Sequence, residues 1–574
     1  MKKCLLFLVL LSVNAAGQET TVDVPTPHPP ALPPPVALEM APRVGITSEV
    51  ELSLSDAVRA VLANNRDVEV SRLARVKGQL GLRSAKGYFD PVFGGDGYSS
   101  RVVTPVASSL GGGINGAVTE RKIYADPQIS GNSPWLGTNY KLDFASARVD
   151  NNNTFNSLNP TYPTSATFNL TQPLWGGLLY DANRERLSVS KKNASQSEEQ
   201  FKQRVIEVTT QAIRAYWELE YARRNLEVQL EAVLLVEQED ASNRRQVEQG
   251  TQAPVDVIQT QTQLSTYQQN VFIAQQQLTQ AENNLKVLML PNRSDPLWNV
   301  ALKTSITTQD EGPVPTLDEA LHGAFANRPD LKVGELAVQI SEMDARLARE
   351  QAKPQFNLTA QLGTQGLAGR TVVQTTSPFG SILTDLFTRV DELSALAGLP
   401  LLPTGGTSTP IPSLFVGGYR DSLANLRDGR FPTVKIGLQV SLPIGNRTAR
   451  AQAAIAEVNK KQSITQQQQL EMTVEGDVRN ALQQLINTEF NFRAAKRGAE
   501  LAQEQYNSEQ RQFKAGTSSV FLVLQRQTEL INAKLREIRA TADHGEAQAD
   551  FDRATAGTLT RQNIEIQATT RIRP

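Results

Sequence analysis

Two long stretches of this 574-residue chain place apolar side chains at alternating intervals of four and three residues. The spacing is unbroken from 474 to 506, and the same register runs from 208 to 226, which lies 266 residues earlier. A third stretch, 264–288, repeats the spacing. A 3.5-residue period means that helices wind around one another along a narrow seam. The sequence therefore predicts long coiled-coil helices.

The chain also contains the same turn twice. The stretch "VEQGTQAPVDVIQTQTQL" begins at Val247, and "FKAGTSSVFLVLQRQTEL" begins at Phe513. Two further pairs of stretches repeat in the same order and at similar offsets, "LSLSDAVRAVLANNRDVEV" with "PTLDEALHGAFANRPDLKV", and "TQPLWGG" with "SLPIGNR". This order predicts two copies of one unit, over 50–300 and 315–560.

Each copy follows one plan. A short amphipathic helix begins near a plausible cap, Ser53 or Thr316, and a proline, Pro91 or Pro354, then opens a strand. A Gly/Ser/Thr/Pro-rich loop leads to a second strand, which is followed by two very long helices joined at the Gly-Thr turn. The plan predicts four strands in the chain.

The strands alternate apolar and polar residues. The pattern is clean over 356–362 and 434–442, shorter over 166–171, and weak in "DPVFGGDGYSS", which is assigned partly by its likeness to the second copy. A tilted membrane strand needs about 9–11 residues. Alternation alone fits a half-buried sheet in a soluble domain equally well.

The N-terminus has the features of a secretory signal. Two lysines precede an apolar run from 5 to 13 and the small residues "NAAG", which predicts a signal peptide over 1–17. The only cysteine, Cys4, would leave with it. A Pro-rich segment is predicted over 18–49 and a C-terminal tail over 561–574. No later stretch resembles a spanning helix, so we expect any membrane crossing to be made by strands.

The lengths of the elements suggest how these parts combine. As a helix, 178–248 would extend on the order of 100 Å, so it must project from a membrane. Four strands cannot close a barrel, and open sheet edges are not tolerated in lipid. Two chains would supply eight strands with a filled interior, and three would supply twelve with room for a passage. We therefore expect a mixed α/β membrane protein, in which helical coiled-coil hairpins continue a trimeric twelve-stranded transmembrane β-barrel.

In these features the sequence resembles the TolC-like outer-membrane efflux family. The likeness rests on the duplicated "L-x-x-A-L-x-x-A-x-x-N-x-x-L" helix, on "QPLWGG" and "LPIGNRTA" at strand-to-helix junctions, and on "F-x-x-G-T" tips, and it covers nearly everything after about residue 50. It implies a homotrimer in the lipid of the cell outer membrane of a Gram-negative-type bacterium, with a helical tunnel in the periplasm and the long loops 104–160 and 366–430 on the extracellular side.

The resemblance also implies a function. Family members dock end-on to a periplasmic adaptor protein, which connects them to an inner-membrane transporter, and they form the exit duct of a tripartite efflux or type I secretion system. No cofactor is implied. The Gly-Thr tips would meet the adaptor, which makes Gly250, Thr251, Gly516 and Thr517 candidate contacts. Alternatively, the glycines simply permit a tight turn between helices.

The family's closed mouth is guarded by acidic residues just inside the second tip. The matching positions here are Leu522 and Gln525, so that acidic ring is absent. Asp256 follows the first tip, but Ser518 stands where the family has a basic partner. We therefore expect an apolar constriction with Leu522 and Phe513 near the axis. Packing of Leu522 between helices is the alternative.

Other classes of protein receive little support. The charges balance, with 58 basic and 59 acidic residues, which indicates no nucleic-acid partner. The three histidines, His28, His322 and His544, share no metal-ligand spacing, and no nucleophile motif accompanies them. The sequence therefore predicts no enzyme and no metal site. The alternative function is a secreted or periplasmic coiled-coil stalk or adaptor without a transmembrane barrel.

Overall fold

The structure, a computed structural model, describes residue 34 and residues 37–107, 116–305, 314–372, 380–400 and 411–565. The predicted signal peptide, with Cys4, lies outside these residues, as do the first part of the Pro-rich segment, with His28, and the end of the C-terminal tail.

Two helical hairpins dominate the molecule. Their outgoing helices contain 67 and 68 residues, which corresponds to about 100 Å each. Most of the predicted seam positions are buried and the rest are half-buried. Val208 and Leu219 in one hairpin and Val474 in the other are fully inaccessible. The coiled-coil prediction is therefore confirmed. The four helices are α3 (Ala182–Glu248), α4 (Pro254–Met289), α9 (Arg447–Lys514) and α10 (Val520–Ala554).

None of the described helices is both long and apolar enough to cross a lipid bilayer.

Each short helix predicted at the start of a copy is in fact two helices. The predicted caps are present, since Ser53 accepts a hydrogen bond from the Asp56 N–H and Thr316 forms a capping box with Glu319. In the first copy the break comes at Asn65, whose side chain caps the next helix. The elements are α1 (Leu54–Asn64), α2 (Arg66–Lys86), α5 (Leu317–Asn327) and α6 (Pro329–Gln351).

Six strands form one antiparallel sheet in the order β2-β3-β4-β5-β7-β8. The four predicted strands are present and longer than expected. The strand count of four was wrong, because β3 and β4 occupy the stretch interpreted as a loop, 104–160. The strands are β2 (Val92–Pro105), β3 (Ala117–Asn132), β4 (Asn139–Asn151), β5 (Leu158–Pro173), β7 (Gln355–Thr371) and β8 (Phe431–Ser441).

The second predicted loop, 366–430, contains the end of β7 and two helices, α7 (Gly380–Leu396) and α8 (Tyr419–Arg427). The helix α8 packs on the sheet, where the Ser422 hydroxyl lies 2.8 Å from that of Thr164. A short helix, α11 (Thr558–Arg561), follows α10.

A second, two-stranded sheet braces the hairpins halfway along their length. Its parallel strands are β1 (Ser48–Ser53) and β6 (Val300–Ser305). The hydroxyl of Tyr216, on α3, donates to the Leu52 carbonyl at 3.0 Å and accepts from the Ser305 N–H at 3.1 Å. One buried tyrosine therefore ties both strands to a long helix.

The two copies contact each other along α3 and α10. Lys534 pairs with Glu231 at 2.8 Å, and Arg539 pairs with Glu218 at 2.8 Å. These exposed pairs contribute little stability individually. They mark the faces along which the two hairpins meet, where Ile531 of α10 also packs in one apolar cluster with Val228 and Val233 of α3.

A buried ion network fastens the N-terminal segment to α4. Lys286 is fully buried and its Nζ donates to Glu282 at 2.6 Å and to the Trp298 carbonyl at 3.1 Å. Glu282, itself 1 % exposed, also accepts from Arg43 at 2.5 Å. The carboxylate thus neutralises a lysine that cannot reach water.

Removal of that carboxylate should be costly. We expect Glu282→Met to lower the free energy of unfolding by about 3–5 kcal/mol, because Lys286 is left charged and unpaired. The double variant Glu282→Met/Lys286→Met should lose clearly less, and the comparison is made by chemical unfolding in detergent. Equal losses in the single and double variants would contradict this account of the network.

Candidate functional site

The ends of the two hairpins have the same geometry. Gly250 and Gly516 follow the outgoing helices with φ of 73° and 77°. In the first turn the N–H groups of Gly250 and Thr251 bond to the carbonyls of Val247 and Gln246, at 3.0 and 2.9 Å. This is the Schellman pattern, which needs a left-handed residue and therefore favours glycine.

The second turn repeats the first bond for bond. Gly516 donates to Phe513 at 2.9 Å, and Thr517 donates to Gln512 at 3.0 Å. The threonine hydroxyls donate to the same carbonyls as their N–H groups, at 3.0 Å in the first turn and 3.1 Å in the second. The four predicted tip residues are therefore explained as a turn, and all four remain exposed at the apex.

An exposed apolar side chain follows each turn at the same distance. Val255 is 53 % exposed and Phe521 is 63 % exposed. They occupy equivalent positions in the two copies, 266 residues apart. The sequence analysis missed them, although the alignment of the two tips places one directly over the other. Each apex therefore presents an apolar side chain to a surface that packs against it.

The structure separates the four gate candidates. Phe513 is half-buried and packs on the cluster of Tyr506, Val523 and Leu530 inside its own hairpin. Leu522 is 38 % exposed, so within one chain it is not enclosed between helices. Gln525 is also exposed and donates to Glu529 at 3.3 Å. Leu522 and Gln525 are therefore available to a neighbour or to an axis.

The remaining candidate, Asp256, lies in the first turn of α4, where the helix dipole favours a carboxylate. No basic side chain among the described residues forms an ion pair with it. Ser518, which replaces the family's basic partner, instead donates its hydroxyl to Glu509 on the same hairpin.

A polar pair that the sequence analysis missed lies above the turns. The Tyr506 hydroxyl of α9 donates to the Glu239 carboxyl of α3 at 3.1 Å. Burial raises the pKa of Glu239 to about 7, against the opposing effect of the Tyr506 hydrogen bond. The second oxygen of Glu239 is buried without a partner in the described part of the chain. The only signal in the sequence is that Tyr506 falls on the heptad seam.

Elsewhere the described residues contain no group of three or more acidic, histidine or cysteine side chains that could hold a metal ion. His544 is buried and stacks on Phe492, with ring centroids 6.2 Å apart. That arrangement makes His544 part of the α9–α10 packing.

The Glu239 carboxyl should make stability depend on pH. Its pKa rises from 4.5 in the unfolded chain to about 7 in the fold, so folding favours the protonated form. The contribution of this carboxyl to the free energy of unfolding is therefore fully present below pH 4.5 and is lost as the pH rises through 7. Relative to Glu239→Gln, the wild-type protein should lose about 2–3 kcal/mol between these limits.

The measurement is chemical unfolding in detergent at several pH values. Glu231→Gln is the matched control, since Glu231 lies on the same helix but is exposed and paired with Lys534. Parallel pH profiles for the wild-type protein and Glu239→Gln would exclude the proposed titration.

The family model described as "Outer membrane efflux protein" matches residues 134–289 and 407–557, more than half of the chain. A search of the curated proteins found no match to this chain.

Solved structures with the same fold cover almost the whole chain. The CmeC outer membrane channel of Campylobacter jejuni is 16 % identical, with a TM-score of 0.59 over 88 % of this chain and 86 % of that one. VceC of Vibrio cholerae is 13 % identical, with a TM-score of 0.56 over 88 % and 95 %. The open state of the Neisseria gonorrhoeae MtrE channel is 14 % identical, with a TM-score of 0.55 over 92 % and 98 %.

Proposed function

The chain belongs to the outer membrane efflux protein family, and on that premise we propose that it works as a homotrimeric exit duct. In this proposal, cargo reaches the duct through a periplasmic adaptor coupled to an inner-membrane transporter, as in tripartite efflux or type I secretion. Family membership itself makes the protein a channel of the outer membrane with its helices in the periplasm, and not an enzyme. The alternative of a stalk or adaptor without a barrel is therefore wrong.

The observation that carries the trimer is an open sheet continued by helices of about 100 Å. Among the residues that the structure describes, the outer strands of the sheet, β2 and β8, have no neighbour on one side. Unpaired backbone groups are not tolerated in lipid, so other copies must supply the missing partners. Three copies would also bring six helical hairpins around one axis, which is enough to surround a passage.

The sheet has the apolar face and the polar face that the wall of a membrane barrel needs. On β8, Val434, Ile436 and Leu438 point to one side and are 65 %, 73 % and 58 % exposed. Lys435, which lies between the first two, and Gln439, which follows the third, point to the other side. Exposed apolar groups on one face and polar groups on the other are typical of strands between lipid and an aqueous lumen.

The two helical tips are the proposed adaptor site. Both Gly-Thr turns lie at the ends of the hairpins remote from the sheet, and the apolar side chains of Val255 and Phe521 stand beside them. In a trimer, three copies of Gly250, Thr251, Gly516 and Thr517 would form a ring of six tips. An adaptor with helical hairpins could pack its own tips into that ring.

Photo-cross-linking tests this docking directly. A photoreactive phenylalanine analogue placed at Thr251 or Thr517 in living cells should form adducts with a periplasmic adaptor, identified by mass spectrometry. The control carries the same analogue at Phe490, which is 63 % exposed on α9 away from the turn. Adaptor adducts at 490 and none at either tip would overturn the docking proposal.

The proposed gate is apolar and lies just inside the second tip. Leu522 would face the axis, with Gln525 one turn further along the helix, Phe513 behind it, and Asp256 on the neighbouring tip. Since Asp256 lacks a basic partner among the described residues, this gate would not depend on the acid–base pair.

Leu522→Asp should change the proposed apolar gate into an acidic one. Three carboxylates around the axis would repel one another and attract polyvalent cations, so we expect a leakier channel that such cations block in planar bilayers. Leu501→Asp is the control, because Leu501 is 49 % exposed on α9 far from the tip. Unchanged leakage and unchanged cation block in Leu522→Asp would remove Leu522 from the axis.

A further inference from the structure

We propose that the hairpin β3–β4 spans the outer membrane as two additional wall strands, so that three chains close an eighteen-stranded barrel. The twelve strands expected from the sequence counted four per chain, whereas the sheet contains six. The number eighteen rests on the proposed trimer. The position of the hairpin in the wall rests on the sheet alone.

The hairpin is inseparable from the rest of the sheet. The strand β2 pairs with β3 along its full length, from Val92 opposite Ser130 to Pro105 opposite Ala117. The strand β5 pairs with β4 on one side and with β7 on the other. Because β2 reaches the other strands only through β3 and β4, a wall without the hairpin would also lose β2.

One row of residues across the sheet shows what the strands face. Following the register from strand to strand, each of the six contributes one large apolar residue to this row, and all six are exposed, between 36 % and 75 %. The hairpin strands supply two of them. The row consists of Phe93, Ile129, Leu142, Phe168, Leu362 and Val434.

The adjacent row, one residue along each strand, faces the opposite side and contains only glycine and polar residues. It consists of Gly94, Gln128, Asp143, Thr167, Gly363 and Thr433. At this level of the sheet the hairpin therefore has an apolar and a polar side in the same register as the four expected strands. An extracellular appendage would have no reason to hold Ile129 and Leu142 level with Leu362 and Val434.

The turn of the hairpin shows that it crosses the full height of the sheet. Residues 133–138 lie against the junction that leads into α3, where Gln172 donates to the Leu136 carbonyl at 2.9 Å. A Cβ on Gly137, at φ +67°, would lie 3.0 Å from the Gly177 carbonyl. Trp135 and Trp175 are exposed at this level, as aromatic side chains are at a membrane interface.

The free edges of the sheet fit each other across copies. The strand β2 runs away from the helices and β8 runs back toward them, so β2 of one copy meets β8 of the next in antiparallel orientation. Such a head-to-tail contact generates a ring when the rotation between copies closes. Three copies of six strands make eighteen, a number at which barrels leave an aqueous channel. Barrel diameter grows roughly linearly with strand number, so the exit would be about half again as wide as that of twelve strands.

Single-cysteine labelling tests the position of the hairpin. The chain has one cysteine, Cys4, inside the predicted signal peptide, so introduced cysteines can be labelled specifically. Nitroxides at Leu142→Cys and Asp143→Cys are compared in lipid vesicles with the matched pair Leu438→Cys and Gln439→Cys on β8. We expect the labels at 142 and 438 to collide with oxygen dissolved in lipid, and those at 143 and 439 with a water-soluble nickel complex.

The outcomes separate the two proposals. Water accessibility at both 142 and 143, with alternation kept at 438 and 439, would overturn the hairpin's place in the wall and leave the duct intact. Loss of alternation at 438 and 439 as well would overturn the membrane wall itself.

Disulfide cross-linking between the free edges tests the number of strands. Phe93→Cys on β2 is combined in turn with Ile436→Cys, Leu438→Cys or Val440→Cys on β8, and the oxidised product is sized on a denaturing gel. We expect covalent trimers from at least one pair, and none when Ile129→Cys on the inner strand β3 replaces Phe93→Cys. Products that end at a covalent dimer would mean twelve strands, and no product from any pair would refute edge pairing.

Discussion

The edges of the six-stranded sheet determine most of what this chain can do. A strand edge in lipid leaves backbone N–H and C=O groups without partners, at a cost of several kcal/mol for each group. In the described part of a single chain this sheet has two such edges, on β2 and β8. The chain is therefore complete only as part of a ring, and the ring places the helices that continue from every sheet around a common axis.

The helical part meets the opposite requirement. Helices of about 100 Å in water need a continuous apolar seam and a polar exterior. The seam uses small residues such as Ala212 and Ala222, which let the helices approach closely. Buried polar contacts interrupt the seam at two places. Lys286 pairs with Glu282 near the two-stranded sheet, and Tyr506 donates to Glu239 above the turns. The Schellman turns then end both hairpins with identical bonding, which makes the two copies equivalent at the mouth.

Much of this architecture could be predicted from the sequence because its signals are local. The seam spacing, the caps Ser53 and Thr316, and the Gly-Thr turns each depend on residues within a few positions of one another. The hairpin β3–β4 could not be predicted in that way. Along β3, Ile129 is flanked on its own face by Pro127 and Gly131, so the apolar band becomes visible only across neighbouring strands.

The candidate site divides in the same way. The tips follow from a repeated dipeptide, whereas Glu239 and Tyr506, which are 267 residues apart in sequence, meet only because the two hairpins pack together. The proposed placement of Leu522 at the axis depends on neighbouring copies, so the fold of one chain does not determine it.

The most direct test of the account is the native mass of the protein extracted from the outer-membrane fraction in mild detergent, before and after heating. The account predicts a heat-labile species near three times the mass of the mature chain, which requires detergent for extraction and dissociates to monomers on heating. A monomer recovered from the soluble fraction would contradict a barrel wall built from the strands of several chains and, with it, the exit duct.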